Sequence, residues 1–144
     1  MDQDKLLDTK NLMELVKNNP QKLEKMVVQG AFPEEVSLTA YLNELLEQKS
    51  LTMSDVVHIS LLSKSYVYQV FSGERTPFRD TLLRIGISMS CSVDEIQRLL
   101  TLGQMGILYP KVRRDVAILC CISQGLSLVE TDEFLTEIDE RSLL

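Results

Sequence analysis

Between positions 64 and 79 the chain spaces polar side chains at intervals that suit the edges of a nucleic-acid groove. On a helical wheel Lys64, Ser65, Tyr68, Gln69 and Ser72 fall on one side, and Tyr66, Val67, Val70 and Phe71 on the other. Lysine reaches phosphate or guanine, glutamine pairs bidentately with adenine, and serine bonds several base edges. Tyr68 has a ring to stack on sugar or pack on a thymine methyl. Arg75 and Arg79 follow, placed to hold the phosphate backbone and fix register without reading sequence. Local pairing with Glu74 and Asp80 is the alternative for these two arginines. Lys111, Arg113 and Arg114 form the densest basic cluster, beside Tyr109-Pro110 at a helix start, where cations oppose the helix dipole. That small penalty points to contact with DNA backbone or an acidic protein surface. Thr52 joins this cluster as a candidate backbone or partner contact.

Chemistry of other kinds has no foothold. There is one histidine, His58, no Gly-x-Ser-x-Gly, no glycine-rich phosphate loop and no metal-ligand spacing. The carboxylate pair Glu34-Glu35 sits in a linker beside Pro33 rather than in a pocket. The expectation is a non-enzyme with no cofactor and no metal. Cys91, Cys120 and Cys121 do not make a disulfide framework and read as buried small hydrophobes in a reducing compartment.

The 144 residues are 44% hydrophobic and 25% charged, ordinary globular usage, so disordered and fibrous classes fall away. Net charge is −6, divided as −3 over residues 1–50, 0 over 51–100 and −3 over 101–144. This excludes a non-specific nucleic-acid coat or a polybasic membrane binder, and the motif lies in the least acidic third. The longest apolar run, Val116 to Ile122, is far short of the roughly 20 residues a spanning helix needs. The N-terminus is acidic (Asp2, Asp4, Asp8) with no signal-peptide pattern, so a cytoplasmic protein is expected.

These side chains need helices to hold them, and no segment alternates like a strand. The spacing predicts helices over 4–18, 20–29, 38–49, 52–59 and 64–72. Ser63 is the N-cap of the fifth and Gly73 its terminator. Val56, Val57 and Ile59 are the expected core face of the fourth. Further helices begin at Thr76-Pro77, at the capping box Ser92–Glu95, at Pro110 and at the capping box Ser127–Glu130. Gly103 and Gly125 are expected to stop the helices before them. Met53, Met89 and Met105 read as gap-fillers. No internal repeat is evident. One of the two chain ends is expected to pack on the core and the other to dimerise.

The helices over 52–59 and 64–72 are joined by a turn short enough for a crossing helix-turn-helix pair. The stretch around them resembles the Xre-type, phage-repressor-like helix-turn-helix family. The resemblance is carried by Leu51-Thr52, Ser63-Lys64-Ser65-Tyr66-Val67, Ser72-Gly73-Glu74-Arg75-Thr76-Pro77, Thr81-Leu82-Leu83-Arg84-Ile85 and Ser92-Val93-Asp94-Glu95. It covers about residues 38–100. Met53, Val57 and Leu61 stand where the family often has Gln, Ala and Gly, so Leu61 is expected to strain the turn or redirect it. The resemblance implies an all-α protein with a five-helix module at 37–102, an N-terminal helical arm at 1–36 and a two-helix extension at 103–144. It further implies a homodimeric transcription regulator that reads the major groove of double-stranded DNA with helix 63–72. The alternative is a non-catalytic protein-interaction module, an adaptor or anti-regulator, on the same fold.

Overall fold

The computed structural model describes residues 9–30 and 36–144; Leu6 and Leu7, the expected linker 31–33 and Glu34-Glu35 lie outside them. All regular structure among the described residues is helical. The chain divides into two compact units, residues 1–35 and 36–144.

In the first unit, α1 (Thr9–Asn18) and α2 (Pro20–Val28) meet at Asn19, with Pro20 opening the second helix. Proline there loses only an N–H that the first turn leaves unpaired anyway. The helices face each other with Leu12, Leu15, Leu23 and Met26 half-buried, and none of the side chains described over residues 10–18 and 20–28 is fully buried.

In the second unit the helices are α3 (Leu38–Gln48), α4 (Met53–Ser60), α5 (Lys64–Ser72), α6 (Arg79–Ser88), α7 (Val93–Leu102), α8 (Arg113–Ser123) and α9 (Leu128–Glu137). They share one core that includes Leu42, Leu45, Val56, Val67, Leu83, Ile85, Leu100, Ile118 and Leu135. Met89 is buried in it, and Met53 and Met105 pack against it.

Three corners of this unit are built alike. After α3, α6 and α8 a residue in the left-handed region (Ser50, Ser90, Gly125) donates its N–H three residues back, and the next residue (Leu51, Cys91, Leu126) donates five back. That is the Schellman closure, which satisfies carbonyls a helix end leaves open. The following Thr52, Ser92 or Ser127 then starts a capping box with Asp55, Glu95 or Glu130. The same closure ends α7 at Gln104 and α9 at Asp139. Gly103 is therefore not the left-handed residue; its φ is −77°. Gly86 is glycine for space, since a Cβ there would stand 2.3 Å from Ile96 Cδ1 between α6 and α7.

Four other expectations are corrected. The helix expected at Thr76-Pro77 starts at Arg79, because Phe78 is extended and Pro77 is buried ahead of it. The helix expected at Pro110 starts at Arg113, after a turn in which Val112 N–H donates to Tyr109 O. Ile59 is exposed rather than in the core, and so is Cys120, whereas Cys91 and Cys121 are buried.

The fifth correction is larger: α6–α7 and α8–α9 are a tandem repeat with a period of 35 residues. Equivalent positions include Arg79/Arg114, Asp80/Asp115, Ser92/Ser127, Glu95/Glu130, Gln97/Asp132 and Leu108/Leu143. The structure uses several of these pairs in the same way. Arg79 donates to the carbonyls of Gly106 (2.9 Å) and Ile107 (2.9 Å), and Arg114 to those of Arg141 (2.9 Å) and Ser142 (3.3 Å). Gln97 holds Leu108 N–H as Asp132 holds Leu143 N–H. The two Arg-Asp dipeptides then cross: Arg79 grips Asp115 with both oxygens (3.1 and 2.9 Å), and Arg114 grips Asp80 likewise (3.0 and 3.1 Å). Bidentate pairing of this kind is the strong form of the ion pair.

These carboxylates set an acid limit. Burial pushes Asp115 upward, but the Arg79 guanidinium and the Tyr109 N–H outweigh it and hold the group below its usual value. Burial likewise opposes, and hydrogen bonds from Ser92 and Lys49 lower, Glu95; those from Ser142, Leu143 and Leu144 lower Asp132. A depressed folded pKa gives stability that is present above the unfolded value, about 4 for a carboxyl, and is lost as pH falls through the folded value. The melting temperature is expected to hold from neutral pH to about 5 and to fall steeply below about 4. Asp115→Asn should flatten that fall, as followed by circular dichroism across a pH series.

Candidate nucleic-acid interface

α5 is fixed at both ends. The Ser63 hydroxyl accepts from Tyr66 N–H at 3.2 Å, and Gly73 closes the other end with φ +86°, where a side chain would be strained. From α3, Asn43 Nδ2 donates to Phe71 O at 3.0 Å, answering one of the last carbonyls of α5.

The turn from α4 into α5 is held by Arg84, a residue with no assigned role in the sequence reading. Its guanidinium donates to Ser60 O (Nη2 2.9 Å, Nε 3.2 Å) and to Leu61 O (3.2 Å). A cation at the C-terminal end of α4 meets the negative pole of the helix. Leu61 itself takes the left-handed conformation, φ +60° and ψ +23°, so the turn keeps the geometry that glycine would give and carries the strain instead. Its side chain is 59% exposed.

Held this way, α5 buries Val67, Val70 and Phe71 and half-buries Tyr66. Lys64, Ser65, Tyr68 and Ser72 are exposed. Lys64 Nζ lies 5.7 Å from the centre of the Tyr68 ring, so ammonium and ring form one unit on the outer face. Arg75 folds back onto α5, with its guanidinium 5.3 Å from the Tyr66 ring centre and Nε donating to Gln69 Oε1 at 2.9 Å. Gln69 is thus half-buried with its amide oxygen engaged, leaving its Nε2 donors for a ligand. The Ser72 hydroxyl donates to Gln69 O and accepts from Glu74 N–H.

The other candidates lie elsewhere. Arg79 and Arg114 spend their donors in the crossed pairs, and neither pairs with the neighbour that sequence proximity suggests. Arg113 donates to Glu140 (2.9 Å) and to Ile138 O (2.9 Å). Lys111 is exposed in the turn before α8. The Thr52 hydroxyl is the N-cap of α4, accepting from Asp55 N–H at 3.1 Å. His58 is exposed on α4.

The arrangement is therefore a two-helix unit, α4–turn–α5, held in place by Asn43 and Arg84. Comparison with protein-family models, with curated proteins and with solved structures returns no match.

Proposed function

We propose that the protein is a non-catalytic, sequence-specific binder of double-stranded DNA that acts as a transcription regulator, with α5 in the major groove. One observation carries this reading: Lys64, Ser65 and Tyr68 form an exposed row on a helix capped by Ser63 and Gly73 and held by Asn43 of α3 and, through the turn before it, by Arg84 of α6. A helix that reads base edges must be held still, because hydrogen bonds to bases tolerate little misplacement. Arg75, seated beside the row, is the nearest cation for a phosphate. A helix-turn-helix reader works as a twofold pair on two half-sites, so a homodimer belongs to this reading.

The test is recovery and sequencing of sheared DNA from the source organism after binding at moderate salt. Discrete enriched sites are expected for the wild type and none for Ser65→Ala/Gln69→Ala. On a recovered site, Lys64→Ala is expected to weaken binding and to reduce the salt slope by about 1, as loss of one phosphate contact does. A folded protein that enriches no site overturns the reading.

A second reading, a protein-interaction module of the adaptor type, is favoured by a different observation. Ile59, Leu61 and Tyr68 are exposed apolar or aromatic side chains on α4, the turn and α5, while Arg79, Arg113 and Arg114 are engaged inside the chain. On that reading Lys64→Ala leaves DNA binding at an already negligible level.

A further inference from the structure

No other large apolar side chain among the described residues is as exposed as Phe78, at 81%. It stands at the N-cap of α6, where Ser, Thr, Asp or Asn would bond the first turn, and it makes no such bond. Neither packing nor capping explains a phenylalanine there. Four more exposed apolar residues gather at the same place: Ile107, Tyr109, Val112 and Val116. The backbone ties them together. Arg79, next to Phe78, holds Ile107 O; Asp115, next to Val116, accepts from Tyr109 N–H; Val112 O accepts from Val116 N–H. Of the charges beside them, Arg79 and Asp115 neutralise each other at 2.9 Å, Arg113 pairs with Glu140 at 2.9 Å, and Lys111 is exposed in the turn between Tyr109 and Val112.

The five side chains expose roughly 500 Å², at the upper end of the largest patch a monomer normally carries. A standard interface covers about 800 Å² on each partner, a little over half of it apolar. The patch therefore matches the apolar share of one such half-interface.

We infer that this face is where a second copy of the chain packs, the same patch meeting itself about a twofold axis. Mutual neutralisation of Arg79 and Asp115, and the pairing of Arg113 with Glu140, remove three of the charges of this segment from self-opposition, and Lys111 has a long flexible stem that can turn its ammonium to solvent. The choice of a second copy as occupant rests on the DNA reading above, which needs a twofold pair. The surface assigned to it rests on the patch alone.

Sedimentation equilibrium over micromolar to submillimolar concentration tests it, with Phe78→Glu, Tyr109→Glu and, on α9 away from the patch, Val129→Glu. An acidic residue at the start of α6 suits the helix dipole, so Phe78→Glu should keep the fold, as checked by circular dichroism. The expected result is a wild-type dimer, at least tenfold weaker self-association in both patch variants, and no change in Val129→Glu. A monomeric wild type, or a dimer indifferent to both patch substitutions, overturns the inference. DNA recovery fails or succeeds separately. A dimer that enriches no DNA site sinks the DNA reading, while patch variants that lose the dimer yet keep weak DNA binding support both.

Discussion

Arg114→Ala is expected to lower the free energy of unfolding by about 3–5 kcal/mol, the range found when one partner of a buried ion pair is removed. The Arg114 side chain is 8% exposed, and it makes four hydrogen bonds, two to Asp80 and one to each of two carbonyls. Alanine leaves two carbonyl acceptors unanswered and Asp80 with only the exposed Arg141, 3.5 Å away, and that penalty exceeds any loss of Coulomb attraction. Arg113→Ala is the matched control. That side chain is 64% exposed, and an exposed pair contributes about 0–1 kcal/mol. Urea denaturation of both variants separates them. Arg114→Met with Asp80→Leu should recover only part of the loss, because the carbonyls of Arg141 and Ser142 stay unanswered.

The largest gain is expected from the opposite operation, glycine at four left-handed corners. Ser50, Leu61, Ser90 and Gln104 have φ between +54° and +60°, a region where an L side chain crowds its own backbone. Glycine adopts it without that cost, though with more freedom to lose on folding. About 0.5–1 kcal/mol is expected at each, and the sites are spaced well enough to add, giving about 2–4 kcal/mol for the quadruple variant. Thermal unfolding should show the gain. A variant no more stable than the wild type would mean that the side chains at these corners contribute contacts worth as much as the strain.

Much of the fold was legible because its helix ends are written locally. The capping boxes at Ser92 and Ser127, the N-cap Ser63 and the terminators Gly73 and Gly125 all stand where residue spacing places them. Helix starts at Pro77 and Pro110 were misplaced because proline fits a first turn and equally an extended approach to one; burial of Pro77 and the turn at Tyr109–Val112 decided it. The polar row of α5 was legible from period alone, but the bond from Arg75 to Gln69 spans six residues through a turn and leaves no periodic mark. The ion pairs of Arg79 and Arg114 reach 36 and 34 positions and depend on packing. The 35-residue period is faint in the sequence, since few positions keep the same residue. Its left-handed residues differ (Ser90 against Gly125, Gln104 against Asp139), and so do most apolar ones.

That period bears on how such a chain can grow. In a single hairpin the arginine would satisfy its own carbonyls, and the aspartate beside it would find no arginine. Copying the segment once in tandem supplies two ion pairs from one inherited dipeptide, with no further substitution: each Asp meets the Arg of the other copy. The bond set is reciprocal, so neither copy can change its Arg-Asp dipeptide without disturbing the other. The four residues of the two Arg-Asp dipeptides are thereby tied to one another, while most apolar positions of the two segments differ.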